Sequence, residues 1–234
     1  MGYRRLPLSD EQRIRALNRA KGKVDSSPDA GFILMPKTIT RLNTTQPIFA
    51  NNMTKRGSAL KEQATATLLA RKAKEKLRIL VSHFIQVFNK GVERGVFQQS
   101  HRAFYQLDIN SNKVPLLRTE NEILRWGKHI IDGDASRVAG GGAPMAMPYT
   151  SEVTNAYNDF NTKRSDKSLK KDAYDNAQED VSDMRKQVDK LILRVWDEVE
   201  TAFNEEEPSS KRRKAREWGV LYVRRKGEKV EEKE

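Results

Sequence analysis

Val153–Phe203 reads VTNAYNDF NTKRSDKSLK KDAYDNAQED VSDMRKQVDK LILRVWDEVE TAF. One stripe recurs at every third or fourth residue. It runs through Val153, Ala156 and Phe160, then Lys163, Lys167 and Lys170, then Tyr174, Ala177, Val181, Met184, Val188, Leu191, Val195 and Ala202. Side chains spaced this way share one face of a helix. The stretch therefore predicts a long amphipathic helix whose seam is apolar at both ends and lysine-filled in the middle. Tyr174–Phe203 is its stronger half, with Trp196 expected deepest in the core. Glu198 also falls on the seam. It can pair across it with Arg56 or Lys74, or the helix drifts and Val199 takes the inner place; the continuing stripe favours Val199.

A second seam begins at Ile39. Leu42, Phe49, Met53, Leu60, Ala70, Leu77, Val81, Phe84 and Phe88 fall on it, with Arg56, Gln63, Thr67 and Lys74 at its weak centre. Pro47 disfavours helix at Gln46, and Gly57-Ser58 is another weak point. The helix is expected to start after Pro47, to kink there, or to split near Gly57, and to end at Gly91 and Gly95. A simple antiparallel pairing of the two seams is expected to set the apolar block 77–88 against the lysine centre. Breaks at both polar centres, or a parallel arrangement, avoid stranding that charge. The expected fold is mostly α. It is an elongated helical bundle of about four helices built from two long heptad-patterned segments, with a short C-terminal strand.

Outward from these seams, residues 1–36 read as a basic N-terminal arm. Ser9 and Gln12 form a capping box that opens a short helix to about Lys21, and Asp25–Gly31 reads as a linker. The bundle domain takes 37–207. Inside it Thr119 and Glu122 make another capping box, opening a helix with Ile123, Leu124, Trp126, Ile130, Ile131 and Val138 on its apolar stripe. Gly140-Gly141-Gly142-Ala143-Pro144 stops that helix as a flexible hinge. Residues 208–225 read as a short basic helix and the strand Val220–Val223. Residues 226–234 read as a disordered charged tail.

The chain has 234 residues, a formal net charge of +12 and no cysteine. Disulfides and thiolate metal sites are thereby excluded. No apolar run approaches the ~20 residues of a membrane span, and no apolar run follows Arg4-Arg5 as a secretory signal requires. The expectation is a cytoplasmic protein without a membrane partner.

Catalytic patterns are absent from the sequence. The residues three before His83, His101 and His129 are Leu80, Gln98 and Trp126, so the Glu-x-x-His of di-iron bundles does not occur. HExxH, P-loop, GxGxxG and GxSxG motifs are missing too. No catalytic residue, metal ligand or cofactor is expected. Lys211-Arg212-Arg213-Lys214-Ala215-Arg216 is the densest basic run. With Arg4 and Arg5, the cations Lys211, Arg212, Arg213, Lys214 and Arg216 are the candidate phosphate contacts, and Trp218 and Tyr222 lie close enough in sequence to stack on bases.

Three motifs occur together: Tyr3-Arg4-Arg5-Leu6-Pro7, Val81-Ser82-His83-Phe84-Ile85-Gln86-Val87, and Ala215-Arg216-Glu217-Trp218-Gly219-Val220. With Trp196-Asp197-Glu198-Val199-Glu200, they resemble an uncharacterised family of bacterial helical proteins of similar length. The resemblance implies a bacterial, all-helical protein and carries no activity or site residues. The expected function is non-enzymatic: a structural or interaction protein that self-associates or docks a protein partner. The alternative is a nucleic-acid-binding protein using the basic arm and Lys211–Arg216.

Overall fold

The computed structural model describes residues 3–223. They form strand β1 (Tyr3–Arg4), helices α1 (Asp10–Ser26), α2 (Ala30–Ile33) and α3 (Pro36–Glu93), a 3-10 helix (Gln99–Tyr105), α4 (Glu120–Ala139), α5 (Thr150–Ala202), α6 (Pro208–Glu217) and strand β2 (Tyr222–Val223). The protein is a mostly helical bundle with two long helices, and no described helix is long and apolar enough to cross a membrane. The tail expected at 226–234 lies outside the described residues. The chain divides into two compact units, Met1–Ala59 with Tyr174–Glu234, and Leu60–Ala173.

Neither long helix breaks at its polar centre. α3 starts before Pro47, at Pro36, and runs through both Pro47 and Gly57; α5 runs through its lysines. Pro47 is tolerated because it sits on the solvent side, as does Asn43 one turn earlier, whose carbonyl loses its helical donor. The inward neighbours Leu42 and Phe49 are fully buried. Proline suits the first position of α3, where its missing N–H has no role. Glu198 closes that helix start, its carboxylate accepting from the Met35 N–H at 2.9 Å and the Thr38 hydroxyl at 2.7 Å. Val199 takes the inner place, and Glu198 pairs with neither Arg56 nor Lys74.

In each unit α3 and α5 run antiparallel, which corrects the expectation of a parallel or broken pairing. In the first unit Thr38 meets Glu198, and further along α3 Asn52 meets Met184. In the second unit Glu62 meets Lys170, and further along α3 the block Leu77, Val81 and Phe84 shares a core with Val153, Ala156 and Phe160. The apolar block therefore meets the apolar start of α5, not its lysines. Two of those lysines turn to acids, Lys170 to Glu62 on α3 and Lys167 to Glu120 on α4, which Arg164 also reaches.

The first unit packs α1, α6 and the strand pair onto α3 and α5. α1 continues past Lys21 to Ser26, and its Leu17 joins Trp196, Trp218 and Val220 in the core. The expected lone strand has a partner: β1 and β2 pair antiparallel, Tyr3 with Val223 and Arg4 with Tyr222. Gly219 has φ +91, and a Cβ there would lie 2.7 Å from the Ala16 carbonyl oxygen. That glycine lets the end of α6 lie against α1. Buried Asp10 gathers three arginines. Arg185 donates to both its oxygens at 2.9 and 2.8 Å, Arg56 donates at 2.8 Å, and Arg13 lies at 3.3 Å.

The second unit lays α4 and the 3-10 helix on the remainder of α3 and α5. Thr119 and Glu122 complete their capping box. The buried face of α4 includes Gly127, Gly133, Asp134 and Arg137 beside the expected Ile123 and Ile130. A Cβ at Gly133 would collide with the Phe104 carbonyl, so glycine is what allows this close approach. The glycine stretch after α4 is not an open hinge. It folds onto Arg137, whose carbonyl accepts from the Gly142 N–H at 3.1 Å and whose guanidinium donates to the Ala143 carbonyl at 2.7 Å.

Two stability measurements follow. Hydrogen bonding from Arg185, and from Arg56 with it, holds the Asp10 carboxyl below its usual range against the opposing effect of burial. A carboxyl depressed in the folded state stabilises at pH values above its unfolded pKa, and that stabilisation fades as pH falls through the folded value. Asp10→Ala should cost about 3 kcal/mol at neutral pH. Its gap to the parent should narrow as pH falls below about 4 in urea unfolding followed by circular dichroism; a constant gap would refute the linkage. Trp196 is 1% exposed, so Trp196→Ala should cost about 3–5 kcal/mol in the same assay.

Candidate anion-binding groove

An exposed face of α5 carries a cation every fourth residue: Lys186, Lys190 and Arg194. Inward residues Val188, Leu191, Ile192 and Val195 are buried and fix the rotation of the helix. The cations then share one side, successive ones about 5–6 Å apart. Antiparallel α3 supplies the facing wall, with Leu42 and Thr45 buried and Arg41 exposed. Between the walls lies a groove of about 1110 Å³ in the first unit, lined by Met35, Arg41, Thr44, Lys186, Gln187, Lys190 and Arg194 among others.

Three acids also line this groove: Asp183, Asp197 and Glu198. Two of them are committed elsewhere. Glu198 caps α3, and Asp197 accepts from the Arg4 guanidinium at 2.7 Å. Among the described residues no carboxylate makes an ion pair with Arg41, Lys186, Lys190 or Arg194. Four cations thus face one groove against one uncommitted carboxylate, that of Asp183. Such an arrangement attracts anions electrostatically, and cations at helical spacing suit a row of phosphates.

The cations singled out in the sequence do not form one open patch. Arg4 bonds to Asp197 and Glu200 and lies over the Trp196 ring. Lys214 is held by Glu206 and lies over Phe203, while Lys211 donates to Asn204 at 3.3 Å. Arg216 stacks on Tyr222, and Arg212 acts on the same tyrosine electrostatically. Burial, and then the hydrogen bond to Glu200, push the Tyr222 hydroxyl far above its usual range. Arg5 and Arg213 are exposed. Trp218 is 3% exposed, so it packs in the core and does not reach a base.

The second unit holds a set that resembles acid–base machinery. The Tyr105 hydroxyl donates to Asp134 at 2.8 Å, Arg137 donates to Tyr105 at 2.8 Å and to Asp134 at 2.7 Å, and the Thr150 hydroxyl donates to the other Asp134 oxygen. Burial raises the Tyr105 hydroxyl above its usual range. Tyr105, Asp134 and Arg137 are buried and bonded to one another, which makes the set a packing device. His101 and His129 line a separate groove of about 740 Å³, each with Nδ1 buried and unpartnered. A metal-bound histidine normally has a partner at its second nitrogen, and no three His, Asp or Glu side chains converge as ligands among the described residues.

No family model matches this chain, and neither the curated proteins nor the solved structures contain a match to it. The groove is the lead.

Proposed function

We propose that the protein is a non-enzymatic interaction protein that binds a phosphate-rich polymer, a nucleic acid backbone, along the α3–α5 groove of its first unit. The observation that supports this reading is the row Lys186, Lys190 and Arg194 facing Arg41, four cations in one groove that have no ion-pair partner among the described residues. A cation already paired gains little from a phosphate, because it must first release its carboxylate. That moves the reading away from Arg4 and Lys214 and onto the groove. The exposed Arg5 and Arg213 add to the positive field around the first unit without defining its register. The internally matched Tyr105–Asp134–Arg137 set supports a binding role over a catalytic one.

Fluorescence anisotropy with labelled DNA and RNA across a salt series tests this. Four phosphate contacts predict a slope of log K against log salt of about −3 to −4. Lys190→Ser with Arg194→Ser should halve that slope, and binding unaffected by the pair would remove the reading.

Self-association is a second reading, favoured by the exposed Leu60, Leu68, Leu69 and Leu169 in the second unit. Sedimentation velocity at rising concentration should then show a growing dimer fraction, whereas one unchanging monomer boundary would end this reading.

A further inference from the structure

Phe32 is 89% exposed, an unusual position for a phenyl ring in a folded chain. It lies in α2, three residues before the groove-lining Met35, which chain reach places within about 11 Å of it. Met35 is itself 62% exposed. The cation row therefore has an unused aromatic face near one end.

We propose that the ligand of the groove is single-stranded nucleic acid, its phosphates tracked by Lys186, Lys190, Arg194 and Arg41 and one of its bases stacked on Phe32. This rests on the groove reading above and adds the strandedness of the polymer. Two features decide for a single strand. The cations line a single groove, Lys186, Lys190 and Arg194 in a row with Arg41 on the other helix, a track for one sugar–phosphate backbone. A base of a duplex is stacked on its neighbours and cannot lie flat on an outside ring, whereas an unpaired base can, and every base has a face to offer. Lys186 to Arg194 spans about 12 Å of helix, enough for a few phosphates before the strand reaches the α2 end. Recognition of this kind is tolerant of sequence, because nothing in it reads a base edge.

The test compares an oligothymidylate of roughly ten nucleotides with a duplex of equal length at fixed salt, using the full chain. The parent should prefer the single strand. Phe32→Ala should weaken single-strand binding about tenfold and leave the duplex unchanged, and Phe32→Trp should restore single-strand affinity and add fluorescence that the oligonucleotide quenches. Phe32 makes so little contact with the protein that neither change threatens folding. If Phe32→Ala leaves single-strand affinity intact while Lys190→Ser with Arg194→Ser abolishes it, stacking is refuted and the groove survives. If the paired groove substitutions change nothing, both fall. Equal losses on duplex and single strand, or a parent that prefers duplex, overturn the proposal.

Discussion

Cations at the centre of a helix seam restrict the registers in which two helices can pair, because each must keep its water or meet a carboxylate. α3 and α5 meet that constraint by antiparallel pairing. Arg56 reaches Asp10 and Glu11 on α1, Lys170 reaches Glu62 on α3, and Arg164 and Lys167 reach Glu120 on α4. These pairs differ in weight. Lys170 and Glu62 are both well exposed, and such a pair contributes about 0–1 kcal/mol. The Asp10 carboxylate is buried among three guanidinium groups; losing it would strip Arg185 of its carboxylate and leave Arg56 and Arg13 only Glu11 and Asp189, at a cost of about 3 kcal/mol. The third helix of each unit is thus placed by charge as well as by apolar burial.

Much of the fold was legible in the sequence. Helical periodicity located both long helices, Thr119 and Glu122 located the start of α4, and Trp196 is in the core as its seam position implied. The connection between the long helices was misread because lysines in a seam look like a break when only the seam is examined. Their carboxylate partners, Glu62 and Glu120, lie about a hundred and about fifty residues away, and nothing local announces them. Pro47 misled for a similar reason. Its cost depends on whether the orphaned carbonyl faces water, and that is a property of the packed helix.

The groove was less legible than the fold. Lys186, Lys190 and Arg194 are regularly spaced, yet a solvated helix face shows the same spacing. What distinguishes them is the engagement of nearby acids by distant groups, Asp197 by Arg4 and Glu198 by the start of α3. The run Lys211–Arg216 stood out by density alone, and density does not reveal that Glu206 already holds Lys214 or that Trp218 is buried.

The pairing of Tyr3 with Val223 also has a consequence for the order of events during synthesis. The second unit is one uninterrupted stretch, Leu60–Ala173, so all of it is made before Trp196 and Trp218. The first unit is assembled from both flanks of that stretch, so Leu17, Leu42 and Phe49 wait with their apolar faces uncovered until Trp196 and Trp218 arrive. Long-range closure of this kind is slow and leaves sticky surface exposed meanwhile. The stretch before Leu60 is therefore the part of the first unit that stays uncovered longest during synthesis.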